Sequence, residues 1–329
     1  MKVIQFVSKE YAISSSGKNI YISYDSGISW AKWISLPASS IDTLFGCNHW
    51  LSRLFRKDIS HILNLNNDLF ACFGFGNIFL ISKESGEVKS IGSIEGSRPL
   101  HVCTDGKFLY YGVYDRNKHR KSISVYRYSL RKNLWDEFYS FKNIRHIHGV
   151  FWDEYQSNLW VTTGDFDHES FIIRFDKKGI PFTVATGSQQ TRTVDLLFTK
   201  DFVFYATDAP DDPNYIYRID RNSGGIEKLQ QLGGPVFWGI KVGNWLFFST
   251  VVEPSEVNRT DAVELWGSND QGDSWRKIKE FKKDIGHMKL FQYGQLKFPY
   301  GPGDHEHLWF TPYATEQNHQ ILRIPLNSL

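Results

Sequence analysis

Two octapeptides, Ser23-Tyr24-Asp25-Ser26-Gly27-Ile28-Ser29-Trp30 and Ser268-Asn269-Asp270-Gln271-Gly272-Asp273-Ser274-Trp275, share the pattern S-x-D-x-G-x-x-W. In such a pattern the aspartate can accept hydrogen bonds from turn amides, and the glycine can take a positive φ. The tryptophan can then cover the hairpin. Because each octapeptide follows a short apolar segment, the pattern predicts a turn between two adjacent β-strands.

Similar apolar segments that enter a polar turn recur seven times along the chain. They are Ile20–Ser23, Ile78–Ile81, Val125–Tyr128, Ile172–Phe175, Ile216–Ile219, Leu265–Ser268 and Ile321–Ile324. Their average spacing is roughly 45 to 50 residues, which is the length of a four-stranded propeller blade. The sequence therefore predicts one all-β domain over residues 1–329, a seven-bladed β-propeller, with six blades as the alternative.

The strands of a blade are named A to D from the axis outward, and the seven segments are predicted to be the C strands. Most of them follow a predicted A–B pair. Little chain follows the seventh segment, so we expect the N-terminal strand Val3–Val7 to complete that blade and remove an exposed sheet edge. Residues Ala38–Lys57 fit no strand and are predicted to form an excursion between blades.

The two octapeptides resemble the Asp-boxes of the BNR-repeat propellers, a group that includes sialidases and other glycan-cleaving enzymes. The resemblance implies a propeller fold in which the boxes are structural and lie away from the active site. It also implies a carbohydrate-active enzyme, a sialidase-like glycoside hydrolase that acts on a carboxylate-bearing glycan. Sialidases hold that carboxylate with three arginines.

A recurring arginine begins the predicted A strand of three successive blades. Arg98, Arg145 and Arg192 stand at equal spacing, which places three guanidinium groups at one end of neighbouring blades. Such a cation cluster is costly unless an anion binds there, and planar guanidinium groups suit a carboxylate. We therefore predict that these arginines bind the substrate. His146 and His287 reach the same rim and are predicted to assist them.

The B–C connections of neighbouring blades carry a series of carboxylates at the same rim. They are Asp115, Asp165, Asp208 and Glu253. We predict catalytic roles for the last three together with Tyr114 and two histidines, His101 and His148, because carboxylates and histidines perform general acid–base chemistry.

Three chemistries remain open for this set of residues. A glycoside hydrolase would use a nucleophile with a carboxylate. A polysaccharide lyase acting at a uronic acid would need a cation for the carboxylate, supplied by Arg145 or Arg192, and a proton acceptor such as His148. No cofactor is expected, although His146, His148 and Asp165 could bind a divalent metal ion. A non-catalytic propeller that binds a glycan or a protein is the alternative to all three.

Composition narrows the class of partner. The net charge of +2 gives no reason to expect a nucleic-acid or anionic-membrane partner. The expected partner is an acidic oligosaccharide or polysaccharide. The apolar stretch Val3–Val7 is too short for a secretion signal, so a cytoplasmic location is predicted.

Overall fold

The computed structural model describes residues 2–39, 58–66, 68–286 and 293–329. Its regular elements are β-strands and three short 3-10 helices, Asp167–Glu169, Gln189–Thr191 and Leu326–Ser328. None of the residues in these ranges belongs to a helix long and apolar enough to cross a bilayer. The predicted excursion at Ala38–Lys57 lies almost entirely outside the described residues.

The strands form seven antiparallel sheets in chain order. Sheet 1 holds β1 (Val3–Val7), β2 (Ala12–Ser16), β3 (Asn19–Ser23) and β4 (Ala31–Ser35), and sheet 2 holds β5 (Ile59–Asn64), β6 (Leu69–Gly74), β7 (Asn77–Ser82) and β8 (Val88–Ser93). Sheet 3 holds β9 (Val102–Thr104), β10 (Phe108–Gly112), β11 (Ile123–Ser129) and β12 (Leu134–Phe141). Sheet 4 holds β13 (His146–Asp153), β14 (Asn158–Gly164), β15 (Phe171–Phe175) and β16 (Pro181–Thr186).

The remaining sheets follow the same plan. Sheet 5 holds β17 (Thr193–Phe198), β18 (Phe202–Thr207), β19 (Asn214–Asp220) and β20 (Ile226–Leu232), and sheet 6 holds β21 (Val236–Val242), β22 (Trp245–Thr250), β23 (Ala262–Ser268) and β24 (Arg276–Lys282). Sheet 7 has three described strands, β25 (Gln295–Lys297), β26 (His307–Tyr313) and β27 (Leu322–Pro325). Each of the seven apolar segments lies in the third strand of its sheet, except that Ile321 of the seventh segment directly precedes β27. The seven sheets confirm the seven-bladed prediction over the six-bladed alternative.

The chain divides into two compact units. Unit 1 covers residues 1–93 and 280–329, with sheets 1, 2 and 7. Its core is built from the inward faces of short strands, with Ile13, Phe70 and Phe79 among its most buried side chains. Ring contacts such as Phe6 against Phe70, whose centroids lie 5.4 Å apart, fill the space between sheets 1 and 2.

The prediction that Val3–Val7 completes the seventh blade is wrong. This strand, β1, pairs with β2 and opens sheet 1. The turn between them is closed by a hydrogen bond from Ser8 N to Tyr11 O, so local hairpin formation decides its sheet. It also contacts the last part of the chain. Backbone hydrogen bonds join Gln5 and Val7 to Tyr300 and Gly303, which lie between β25 and β26, and Ile4 N donates to Thr311 Oγ1.

Unit 2 covers residues 94–279, with sheets 3 to 6 up to the middle of β24. The first strands of sheets 4, 5 and 6 each contain a β-bulge, between Ile147 and Gly149 in β13 and between Val236 and Trp238 in β21, for example. A bulge inserts one extra residue and re-aims the side chains near it. In β13 the extra residue is His148.

The second octapeptide, in unit 2, forms the turn between β23 and β24. Ser268 Oγ donates to Asp270 Oδ1 at 2.7 Å, and Ser274 N donates to the same oxygen at 3.0 Å. Gly272 has a φ of +87°, and a Cβ there would lie 2.2 Å from the ring of Phe204. The glycine is required both by its conformation and by this close approach. The first octapeptide has equivalent hydrogen bonds from Ser23 and Ser29 to its aspartate.

Candidate functional site

A cluster of charged residues lies where unit 2 brings together the entries of first strands and the exits of second strands. Arg145, His146 and His148 come from the beginning of β13, and Arg192 directly precedes β17. Asp165 directly follows β14. The antiparallel order of the strands places these segments at one end of the sheets, as the sequence predicted.

The Asp165 carboxylate is the centre of this cluster. Its Oδ2 accepts a hydrogen bond from Arg145 Nη1 at 2.7 Å. Its Oδ1 lies 3.3 Å from His146 Nε2 and 3.4 Å from His148 Nε2. The same oxygen lies 3.3 Å from Arg192 Nη2. Although burial by itself would raise the pKa of Asp165, its hydrogen bonds to His146 and His148 hold that pKa well below its usual value.

Each histidine ring lies between two hydrogen-bond acceptors. His146 Nδ1 is 2.9 Å from Asp115 O, and His148 Nδ1 is 3.1 Å from Thr193 O. On the other side, both Nε2 atoms face Asp165. A neutral imidazole has one N–H and so can satisfy one of its two acceptors. Burial lowers the pKa of His148 to about 4, which keeps its ring neutral at neutral pH.

This geometry fits a divalent metal ion. The three ligand atoms, from His146, His148 and Asp165, all lie within 4.8 Å of one another. Ligand atoms about 2.1 Å from a common metal are separated by about 3.0 to 3.4 Å, which matches the distances of 3.3 and 3.4 Å to the carboxylate. Metal-binding histidines usually donate the other ring N–H to a carbonyl, and these two rings have such carbonyls in place.

The two arginines of the cluster differ in how much of each guanidinium group remains available. The Arg145 side chain is 32% exposed and the Arg192 side chain is 14% exposed. Within the described residues, Arg145 donates from Nη1 to Asp165 and from Nε to Arg116 O. A guanidinium group has five N–H donors, so Arg145 retains donors for an external anion.

Arg192 is bound within the protein. Its Nε donates to Asp208 Oδ2 at 3.2 Å, its Nη1 donates to Asp165 O at 3.2 Å, and its Nη2 contacts both carboxylates. Burial raises the pKa of Asp208 to about 7, against the opposing effect of Arg192, and the nearby Glu253 carboxylate raises it further. Asp208 Oδ1 is buried and has no hydrogen-bond partner among the residues that the structure describes.

Tyr114 and the loop around it border the cluster. The Tyr114 ring lies against His146, with ring centroids 4.2 Å apart. Glu169 and Arg120, which the sequence analysis did not predict as site residues, hold the surrounding loops in place. Glu169 is 1% exposed, accepts a hydrogen bond from Arg145 N and forms an ion pair with Arg120. A sequence shows that a glutamate is present but not that it is buried, and for that reason Glu169 was missed.

The remaining predicted site residues are His101, Arg98 and His287. His101 belongs to a separate cluster, with Nε2 3.6 Å from Asp195 Oδ2 and its ring against Trp238. Burial raises the pKa of Asp195 to about 6. Arg98 is half-buried at the corresponding position before β9, while Arg145 and Arg192 supply the arginine contacts to Asp165 described above. His287 lies outside the described residues.

Comparisons with known proteins give matches in structure alone. No family model and no curated protein matches the chain. An oligogalacturonate lyase in complex with manganese is 10% identical over 98% of this chain and 89% of its own, with a TM-score of 0.68. An oligogalacturonate lyase from Vibrio parahaemolyticus is 8% identical over 94% of this chain and 87% of its own, with a TM-score of 0.60.

The same fold also occurs in a different setting. A chain of a mitotic checkpoint complex is 11% identical over 99% of this chain and 87% of its own, with a TM-score of 0.58. At such identities the likeness shows the fold alone. This chain is an all-β protein with the fold of a seven-bladed β-propeller.

Proposed function

We propose that this protein is a polysaccharide lyase that cleaves an acidic glycan by β-elimination at a uronic acid residue. The observation that carries the proposal is the convergence of His146 and His148 on Asp165, beside an Arg145 that keeps donors free for an anion. The likeness to two oligogalacturonate lyases supports this chemistry better than the sialidase-like hydrolysis that the Asp-box resemblance implies.

A divalent cation held by His146, His148 and Asp165 is part of this proposal. The matching distances and the two backbone carbonyls that orient the rings support it, as does the manganese bound to one of the similar lyases. When bound, the cation would supply positive charge that neutralises the uronate carboxylate and makes the neighbouring C–H bond more acidic.

Residues of the chain orient the substrate and transfer the proton in the elimination reaction. In the reaction the proton next to the carboxylate is removed, the C–O bond at the β-carbon breaks with its electron pair, and a C=C bond forms. The departing sugar oxygen takes up a proton. Arg145 orients the carboxylate through its remaining N–H groups. Tyr114, packed against His146, is the proposed proton-transfer residue.

The buried residues have supporting roles in this proposal. His148 is 2% exposed, and both its ring nitrogens face acceptors, which suits a ligand better than a mobile base. Arg192 pairs with Asp165 and with the buried Asp208, near the half-buried Glu253, and so holds the Asp165 carboxylate in place. His101 has a structural role in its own cluster with Asp195.

Incubation with short oligogalacturonates tests the proposal. A lyase gives new reducing ends together with the ultraviolet absorbance of an unsaturated product, and we expect both with Mn²⁺ present and neither after treatment with a chelator. The His148→Ala variant should lose this activity, and Arg145→Ala should weaken it by raising KM. His305→Ala, which removes an exposed histidine side chain from the segment before β26, is the matched control. New reducing ends without the absorbance would indicate hydrolysis and contradict the proposal.

A non-catalytic propeller that binds an acidic glycan is the second candidate. It is favoured by the internal pairing of Arg192 with Asp165 and Asp208, which leaves this guanidinium group little capacity for a substrate. Binding of the oligosaccharide without any product would support this candidate. Membership of the Asp-box group is likewise a proposal, supported by the shared hydrogen bonds of the two octapeptide turns.

A further inference from the structure

The loop between β10 and β11 carries the densest run of positive charge near the cluster. Its sequence is Asp115-Arg116-Asn117-Lys118-His119-Arg120-Lys121, with four Arg or Lys residues and one acidic residue. Arg116, Lys118 and Lys121 are exposed, and none forms an ion pair with an acidic side chain of the described chain. Like charges held this close repel one another unless an anion binds among them.

This basic loop is built rigidly. The Asn117 side chain accepts from Lys121 N at 3.0 Å and donates to Lys121 O at 2.8 Å and Ile144 O at 3.1 Å. Asn117 and Arg120 have φ values of 31° and 51°, an uncommon conformation for residues other than glycine. The ion pair of Arg120 with buried Glu169 holds the loop in this form.

The basic loop is continuous with the cluster around Asp165. Its backbone carbonyls at Asp115 and Arg116 accept hydrogen bonds from His146 and Arg145, at 2.9 and 3.2 Å. An anion that contacts the loop would therefore lie beside the site proposed for the uronate carboxylate.

An exposed aromatic ring completes this surface. Phe166, the residue after Asp165, is 47% exposed and stacks on His168 with ring centroids 6.2 Å apart. The Arg120 guanidinium group lies 5.5 Å from the centre of the Phe166 ring. An apolar face next to cations suits a sugar ring that carries a carboxylate, because the ring can lie on the aromatic group while its charge meets the cations.

We infer that Arg116, Lys118, Lys121 and Phe166 form a second subsite, which binds the acidic sugar next to the one held at His146, His148 and Asp165. The inference rests on the proposed function and deepens it, because the substrate becomes a glycan with acidic groups on neighbouring residues. The protein then prefers an acidic oligomer over the acidic monomer.

The test compares the affinities of galacturonic acid and its trimer by titration calorimetry, in a Tyr114→Phe background that prevents consumption of the ligand. The double variant Lys118→Ala/Lys121→Ala should weaken binding of the trimer about three- to tenfold and leave the monomer unchanged. The control variant Lys177→Ala/Lys178→Ala removes two exposed lysines from the turn between β15 and β16, and it should bind both ligands like the parent.

The Phe166→Ala variant identifies the kind of partner. It should weaken binding of the trimer, and a short single-stranded DNA is the probe for a surface that binds any polyanion. Equal affinity of the parent for monomer and trimer, equal affinities of the two lysine variants for the trimer, or tighter binding of the DNA would each overturn the subsite.

Measurement of product formation tests the lyase proposal independently of the second subsite. If the parent protein releases no unsaturated product but the Lys118→Ala/Lys121→Ala variant loses affinity for the trimer, the subsite stands and the lyase proposal fails. If unsaturated product forms and kcat/KM for the trimer is the same in both lysine variants, the lyase proposal stands and the subsite fails.

Discussion

The rings of His146 and His148, which occupy alternate positions of β13, lie side by side with centroids 5.1 Å apart. Their Nε2 atoms converge on the same oxygen of Asp165. The pairing of β13 with β14 has a bulge between Ile147 and Gly149, and His148 is its extra residue.

Metal binding should depend on this convergence. We expect Mn²⁺ to raise the unfolding temperature of the parent protein, because a ligand that binds only the folded state stabilises it. The increase should disappear in His148→Ala and Asp165→Ala and persist in His305→Ala. Thermal unfolding with and without Mn²⁺, together with the metal content after dialysis, checks this. A full increase in the Asp165→Ala variant would contradict the site.

Substitution of Arg192 should mainly lower stability, whereas substitution of Arg145 should mainly weaken substrate binding. Arg192→Met leaves the buried Asp208 carboxylate without its cation and should lower the free energy of unfolding by about 3 to 5 kcal/mol. Arg145→Met changes a group that is one-third exposed, so its cost should be at most about 1 kcal/mol. Urea unfolding measures both. In the assay with oligogalacturonates, Arg145→Met should instead raise KM about tenfold or more.

Asp208 should contribute a stability that falls as the pH rises toward neutrality. Its folded-state pKa of about 7 lies above the ordinary value, so the folded protein holds this proton longer than the unfolded chain does. Its contribution is therefore fully present below about pH 4 and is lost as the pH rises through 7. Asp208→Asn should reduce this slope by up to about 1.4 kcal/mol per pH unit.

Urea unfolding at a series of pH values tests this expectation. Asp261→Asn, which removes an exposed carboxylate, controls for the change in net charge. Identical pH slopes for the parent and Asp208→Asn would show that Asp208 is ionised throughout the range. The same experiment with Asp195→Asn should show a smaller change centred near pH 6.

Gly272, the glycine of the second octapeptide, should tolerate no other residue without a loss of stability, because the Phe204 ring lies against it. Gly272→Ala must tolerate a positive φ and displace the Phe204 ring, so we expect a loss of about 2 to 4 kcal/mol. Gly224, in the turn between β19 and β20, has a φ of +72° but no neighbouring atom within 4 Å of a Cβ. Gly224→Ala should cost only about 1 kcal/mol. Equal losses of unfolding free energy would exclude the packing contribution.

The blade plan could be predicted from the amino-acid pattern, because turn chemistry and strand periodicity are local. Asp270 and Gly272 specify their turn through contacts within a few residues, and the seven apolar segments recur at blade length. That plan also placed Arg145, Asp165 and Arg192 at one end of neighbouring sheets. The assignment of Val3–Val7 failed because a choice between two sheet edges depends on hairpin closure at Ser8, which the apolar pattern does not encode.

The pairing of the charged groups, by contrast, depends on contacts between distant parts of the chain. Arg145 and Arg192 look alike in the sequence, yet burial and the position of Asp208 commit one to the interior and leave the other open to solvent. The direction of the His148 ring likewise depends on a bulge and on the Thr193 carbonyl of the neighbouring sheet. Side-chain burial and lone-pair direction are set by residues far apart in the chain, so no local pattern reveals them.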